Sequence, residues 1–313
     1  MNIQQLEYLI SVNNCRHFAR AAEQCFVTQP TLSTMIKQLE EELGVIIFNR
    51  AKHPVEPTEI GVKIIKQAED SLMAIKKIKG IVDTEKTDVS GSFKLGIIPT
   101  IAPYIVPKIL SGQHKKYSDL ELIIRELPTT KVISQLTSGL IDGGIVAGSI
   151  NNSSFVEFPV YYEKFFAYVS PYDKLYAEKE IDLNNIDIDN VWLLENEHCL
   201  RGQIERLCKL KEKTRQKKSI VRFESGSIDT LLNVVDMNPG LTIVPEMHAM
   251  GLSEDKQDNL RNFKNTVAVR EVSLIVNKEY VRLSIINAIL DIIKSSVPKS
   301  MLNTELKQYV VDL

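Results

Sequence analysis

Two cysteines nine positions apart, Cys199 and Cys208 in EHCLRGQIERLC, are the residues of this chain best equipped for covalent chemistry. His198 directly precedes the first. For a cysteine pair in an intracellular chain, metal binding, catalysis and redox sensing are the readings to weigh. Zinc would find three ligands in His198, Cys199 and Cys208. Adjacent side chains at 198 and 199 diverge, however, and no CxxC or HxxxH completes the set. A cysteine hydrolase needs a base that reaches the thiol across space, and a directly adjacent histidine is badly placed to be one. Neither a metal nor a cofactor is therefore expected. A thiol reacts as thiolate, and thiolate is favoured by positive neighbours. Between His198 and Lys218 the sequence carries eight Lys/Arg and two Glu, with Arg201 nearest to Cys199. The ordinary alternative, a small buried hydrophobe, is the expectation for Cys15 and Cys25.

The composition sets the frame. The chain has 313 residues, is 44% hydrophobic and 25% charged, and carries a net charge of -2, the profile of a soluble protein of about two or three domains. No run of about 18 apolar residues is present. MNIQQLEYLI lacks a basic region followed by a sustained apolar run, so a cytoplasmic location is expected. Four cysteines in such a chain do not suggest a permanent disulfide framework.

The elements that must position these residues fall into two styles. In the first 60 residues, Ile3, Leu6, Leu9 and Ile10 have helical spacing, and HFARAAEQC is a short alanine-rich helix. Thr28 is a good N-cap with Pro30 in the first turn. From there Leu32, Ile36, Leu39 and Leu43 form one buried face, and Gly44 ends the helix. The opposite face shows Gln29, Ser33, Thr34 and Lys37. This is the layout of a helix-turn-helix, and VIIFNRAKHPVEPT adds two extended segments around a basic tip, a wing. Thr58 opens a longer helix whose Ile64, Ala68, Leu72, Ile75 and Ile78 form a narrow seam, a pattern that a second copy of the chain would cover; packing on its own domain is the alternative. After TDVSGS, strand and helix patterns alternate (FKLGII, IAPYIVPKIL, LELIIREL, KVISQLTSGL, GGIVAG), which argues for a parallel α/β sheet. VEFPVYYEKFFAYVS is expected to be a pair of strands crossing to a second lobe that holds VWLLE, the cysteine pair, SIVRFES and GLTIVP. VAVREVSLIVNK and a final helix return to the first. The expected fold is α/β with an all-α N-terminal part. Residues 1–58 form a winged helix-turn-helix, 59–90 a linker and dimerisation helix, and 91–313 a two-lobe periplasmic-binding-protein-like regulatory domain. Lobe I is expected over about 91–162 and 266–313, lobe II over about 163–265.

HFARAAEQCFVTQPTLSTMIKQLEEELGVIIFNR resembles the winged helix-turn-helix of LysR-type transcriptional regulators, and the linker and two-lobe part extend the resemblance over essentially the whole chain. Within that family LGIIPTIAPYIVP, ELPTTKVISQLTSGLIDGGIVAG and EHCLRGQIERLC resemble the peroxide-sensing OxyR subfamily. The resemblance implies a cytoplasmic, oligomeric DNA-binding regulator, a dimer or dimer of dimers, and not an enzyme. Its partners would be double-stranded DNA, hydrogen peroxide, RNA polymerase and a thiol reductant such as a glutaredoxin or thioredoxin. It implies that Cys199 is the reactive thiol and Cys208 its resolving partner, capturing a sulfenic acid before it is over-oxidised. Thr100, Thr129, His198, Arg201 and Arg270 would bind peroxide or favour the thiolate. The rivals are a regulator that answers a metabolite in the interlobe cleft and a thiol peroxidase.

The resemblance also sends the third helix into the major groove, with Gln29, Pro30, Ser33, Thr34 and Lys37 at bases or phosphates, and places Arg50 and His53 of the wing on the backbone or minor groove. Residues 1–53 carry five basic and five acidic side chains, whereas a DNA-binding domain is usually basic. The glutamates gather at the far end of the third helix, so its reading end can still be positive. Thr100 and Thr129 each follow a strand and precede a helix, a place that lines the crevice of an open α/β lobe; plain N-caps would look the same. Finally, GQIERLCKLKEK is expected to be helical, which holds the two cysteines apart.

Overall fold

A computed structural model describes residues 1–84, 89–112, 116–208, 223, 225–280 and 282–311. Two compact units result, the first built on Met1–Thr87 and the second on Asp88–Leu136, Ile141–Lys278 and Leu283–Leu313.

In the first unit α1 (Ile3–Cys15), α2 (Phe18–Gln24) and α3 (Gln29–Leu43) close around Leu9, Val12, Ala21, Leu32, Ile36 and Leu39. Ile3 and Leu43, expected on the buried faces, are exposed instead; each is the terminal member of its stripe, where no neighbouring element covers it. The Thr28 hydroxyl accepts from Thr31 N–H, and Gly44 ends α3 at φ 67°. The wing is β1 (Phe48–Asn49) antiparallel to β2 (Glu56–Pro57). Next comes α4 (Glu59–Thr84), whose Thr58 accepts from Gly61 N–H and donates to the Ile46 carbonyl. A Cβ at Gly61 would sit 2.2 Å from the Ile47 carbonyl oxygen, so only glycine lets α4 start this close to the wing. The seam of α4 starts inside its own unit. Ile64, Ala68 and Leu72 pack with Ile65 against the helix-turn-helix core, so that half needs no second copy; the side chain of Ile78 lies outside the described residues.

The second unit is a mixed sheet. Its strands are β3 (Gly91–Ile97), β4 (Leu120–Glu126), β5 (Gly143–Ala147), β6 (Phe155–Val169), β7 (Glu180–Ile181), β8 (Leu241–Pro245), β9 (Leu260–Phe263) and β10 (Val269–Asn277). The order is β4-β3-β5-β10-β6-β9-β7, with β8 also on β6. Pairs β3–β4 and β3–β5 are parallel, as the alternating pattern predicts, while β10 is antiparallel to both β5 and β6. The helices are α5 (Ala102–Leu110), α6 (Thr129–Thr137), α7 (Cys199–Leu207), α8 (Ile228–Met237), α9 (Glu246–Met250), α10 (Glu254–Gln257) and α11 (Leu283–Ser295).

One expectation needs correcting. VEFPVYYEKFFAYVS is not a pair of strands but one strand, β6, whose first part pairs with β10 and whose last five residues pair with β8. Pro159 suggests a break, but it lies beside a register shift where Val160 is left without a β10 partner, and proline is accommodated at such bulges. In VWLLE, Val191 and Leu194 make isolated bridges, to Leu241 and Ser225. Two α/β lobes thus share β6. The second has its own core of Tyr168, Leu194, Leu200, Ile204, Leu232 and Ile243 among others. Most of SIVRFES and the basic run Lys209, Lys211, Lys213, Arg215, Lys217 and Lys218 lie outside the described residues.

Candidate functional site

Cys199 is the first residue of α7 and Cys208 the residue that ends it, so one short helix separates the two thiols. Neither is in a disulfide; Cys199 is partly exposed and Cys208 lies in the core of the second lobe. The helix forms because Leu200, Ile204 and Cys208 recur at spacings of four and meet that core. Gln203 shares the buried side, fully covered, and neither its amide nitrogen nor its oxygen has a hydrogen-bond partner.

Arg270, whose charge Cys199 feels, is completely buried. It stands directly opposite Glu163 in the β10–β6 register. Its Nε donates to Glu163 Oε1 at 2.8 Å, and Nη2 lies 2.7 Å from the same oxygen. Glu163 Oε2 accepts from Met247 N–H at the start of α9. On its other side, Arg270 Nη1 donates to Thr100 Oγ1 at 3.1 Å and Nη2 to the Thr100 carbonyl at 3.4 Å. Burial works against the guanidinium's charge, but Glu163, Tyr161 and Cys199 outweigh it and raise the pKa above its ordinary value. Cys199 is thus within electrostatic reach of Arg270. Because arginine can only donate, the Thr100 hydroxyl must accept from it, and its own O–H is left to donate elsewhere.

Thr100 and His198 line one cavity of about 200 Å³, together with Tyr104, Asp229 and His248. Tyr104 on α5 is hydrogen-bonded to His248 Nδ1 on α9, and His248 Nε2 lies 3.6 Å from Asp229 on α8. Burial lowers the His248 pKa from 6.5, with Asp229 opposing the shift. In the fold His248 stays neutral where the unfolded chain would take up a proton. Its contribution to stability is therefore full above about pH 6.5 and is lost as pH falls toward the lowered folded value. His248→Gln is expected to flatten the decline of melting temperature between pH 7 and pH 5. An unchanged slope would show that other groups set it.

The remaining expected residues are placed differently. Thr100 is not a helix cap: Ile101 occupies that position on α5. Thr129 is the first residue of α6 rather than the residue before it, and its buried hydroxyl has no hydrogen-bond partner. It does not line the cavity that Thr100 shares with His198. Arg201 donates to Glu205 Oε1 and to the Leu194 carbonyl, both at 3.0 Å, so its charge is matched by a carboxylate one turn along α7. His198 is buried, with Nε2 3.6 Å from Glu195. Glu163 was missed by sequence reasoning. The available signal was weak: Glu163 is one of two carboxylates in β6, beside Lys164, and Arg270 is next to Glu271 in β10.

On α3, Gln29, Pro30, Thr34 and Lys37 are exposed and Ser33 is half-buried. Arg50 is not on the wing tip, which His53 occupies. It folds back onto α3, where Nη1 donates to Ser33 Oγ at 3.1 Å and Nη2 pairs with Glu40 at 3.0 Å. Its guanidinium also lies 5.0 Å over the Phe18 ring. The attraction of Glu40, whose other oxygen receives the N–H groups of Ile47 and Phe48, explains the turn. Among the described residues, no group of three or more His, Cys, Asp or Glu could hold a metal, and no helix is long and apolar enough to cross a membrane.

Comparison with known proteins matches residues 3–62 to the bacterial regulatory helix-turn-helix protein, lysR family, and residues 86–298 to the LysR substrate binding domain. The hydrogen peroxide-inducible genes activator of Haemophilus influenzae is 34% identical over 247 residues, 79% of this chain and 81% of the relative. The DNA-binding transcriptional dual regulator OxyR of Escherichia coli K12 is 34% identical over 251 residues, 79% of this chain and 80% of the relative. Among solved structures, a full-length OxyR variant from Pseudomonas aeruginosa superimposes with a TM-score of 0.71 at 28% identity, covering 94% of this chain and 98% of the other.

Proposed function

Since the chain belongs to the LysR family of bacterial transcriptional regulators, we propose that it is a cytoplasmic DNA-binding regulator that senses hydrogen peroxide through Cys199 and Cys208. The observation that carries the reading is a pair of cysteines outside any disulfide at the two ends of α7, the first within electrostatic reach of the buried Arg270. Cys199 thiolate attacks one peroxide oxygen; an S–O bond forms, the O–O bond breaks, and the departing hydroxide leaves as water after taking a proton. Thr100, whose hydroxyl accepts from Arg270 and keeps its own O–H to give, donates toward the oxygen that departs. The Thr129 hydroxyl is a second candidate for holding the peroxide. Cys208 then attacks the sulfenic sulfur, forming the disulfide and releasing a second water. A thiol reductant such as a glutaredoxin or thioredoxin resets the pair.

The matching test follows Cys199→Ser by operator binding and by mass spectrometry before and after micromolar peroxide. It is expected to bind DNA and ignore peroxide, whereas Cys15→Ser and Cys25→Ser respond normally and Thr129→Val slows the oxidation of Cys199. A Cys199→Ser protein that still switches with peroxide ends the sensor reading.

DNA is read by α3, with the wing as its support and oligomerisation raising the affinity of each weakly charged domain. Alanine at Gln29 or Ser33 is expected to cost roughly 1–3 kcal/mol at the operator and little on random DNA. Equal losses on both DNAs for Gln29→Ala would move that residue from readout to positioning.

A further inference from the structure

Phe26 is placed at two disadvantages at once. The helix α2 ends in a paired turn: Val27 N–H donates to the Ala22 carbonyl and Phe26 N–H to the Glu23 carbonyl, both at 3.1 Å. That double bond pattern requires a left-handed residue at the position Phe26 fills, where glycine or asparagine is usual. Phe26 adopts φ 56°, a conformation a bulky side chain takes only under strain. Its ring gains nothing in return, for the residue is 96% exposed. The next residue, Val27, packs into the helix-turn-helix core, so the turn is anchored without the phenyl. Neither the backbone nor the core accounts for an aromatic here.

What lies next to it does. Phe26 stands two residues before the cap Thr28 and three before Gln29, the first residue of α3, whose exposed residues are those assigned above to base edges. An apolar ring beside that end of the helix meets the apolar parts of a duplex, the thymine methyl groups and the deoxyribose edges; phenylalanine against a thymine methyl is an established form of readout. We infer that Phe26 is a DNA contact, an apolar probe beside the hydrogen-bonding groups of α3, held in a strained turn because binding uses it. The inference rests on the DNA-binding reading above.

The test separates the ring's two effects by their sign. Phe26→Gly and Phe26→Asn in the reduced full-length protein relieve the backbone, so the melting temperature should rise. Affinity for a duplex selected from a random-sequence pool by the wild-type protein should fall roughly tenfold, and Phe26→Tyr should keep most of it. Replacing each thymine of that duplex by uracil identifies the surface. If one position weakens the wild type and not Phe26→Asn, the ring meets that methyl; if none does while Phe26→Asn loses equally on random DNA, it meets deoxyribose. Either outcome supports the inference. Unchanged affinity in Phe26→Asn overturns it, as does a fall in melting temperature alongside affinity, or a changed oligomeric state in sedimentation. Gln29→Ala serves as the control: weakened by that change but not by Phe26→Asn, the protein reads DNA without Phe26. If the wild type enriches no duplex at all, it is the DNA-binding reading that has failed.

Discussion

Glu163→Ala is expected to destabilise the second unit by about 3–5 kcal/mol, the usual cost of stripping one partner from a buried ion pair. Both members are fully enclosed, and Arg270 would keep its charge with only the Thr100 hydroxyl and carbonyl to satisfy it. The N–H of Met247 would lose its acceptor as well. A domain with a total stability of about 5–15 kcal/mol has little room for such a loss. Replacing both members at once with apolar side chains of similar volume, Glu163→Leu with Arg270→Met, should recover most of it while abolishing the response to peroxide. Urea denaturation of the full-length reduced protein measures both. A loss below about 1 kcal/mol in Glu163→Ala would mean that water or a rearranged neighbour replaces the carboxylate, and the pair would not be the support of the site described above.

Oxidation of the pair is expected to dismantle α7. Nine residues of helix separate the Cα atoms by about 13 Å and set the side chains about 900° apart, on opposite faces; a disulfide needs Cα atoms roughly 4.4–6.8 Å apart. Cys208 must therefore leave the core of the second lobe, or Cys199 must leave its place near Arg270, and the buried Leu200 and Ile204 move with the helix. Gln203 works in the direction of opening, since its unsatisfied buried amide costs about 1–3 kcal/mol for as long as α7 stays docked. A net rearrangement on the order of 4 kcal/mol would make the disulfide easier to reduce by about 85 mV, which suits a switch that resets in a reducing cytosol. Hydrogen exchange provides the readout. The amides of 203–208, protected by helical bonds in the reduced state, should lose that protection on oxidation. Identical protection and a superimposable 199–208 backbone in both states would show that the cysteines are not the moving part.

The first unit was legible almost to the residue because its signals are local. Thr28, Pro30 and Gly44 mark the ends of α3 through backbone chemistry that needs no distant partner, and the spacing of Leu32, Ile36 and Leu39 reports its buried face. In the candidate site the thiols, the threonines and His198 stand out in the sequence, Arg270 enters only through the family resemblance, and Glu163 does not enter at all. Glu163 and Arg270 are 107 positions apart and meet only because β6 and β10 align in one register, which no window of sequence reveals. Arg201 is the closest cation to Cys199 in the chain, yet Glu205 one helical turn away claims it. A helix offers a side chain its i+4 neighbour directly, a pairing that nearness to Cys199 in sequence does not reveal. The pairing of Arg50 with Glu40 is hidden for a similar reason: it depends on how the wing folds against α3.

The position of β10 has a consequence for how the chain is made. This strand lies between β5 and β6 in the sheet yet comes last of all the strands in sequence. Until the ribosome has passed residue 277, β5, every residue of which is buried in the finished fold, has no neighbour on one side. The first half of β6 waits in the same way. Domains emerge at about 5–20 residues per second, so for several seconds the nascent protein carries two unpaired apolar strand edges, the arrangement most prone to pairing with another chain. Arg270 arrives with the same strand. Its partner Glu163 is synthesised more than a hundred residues earlier and stays hydrated until then, so closing the sheet and assembling the charged centre of the site are a single late event in biosynthesis.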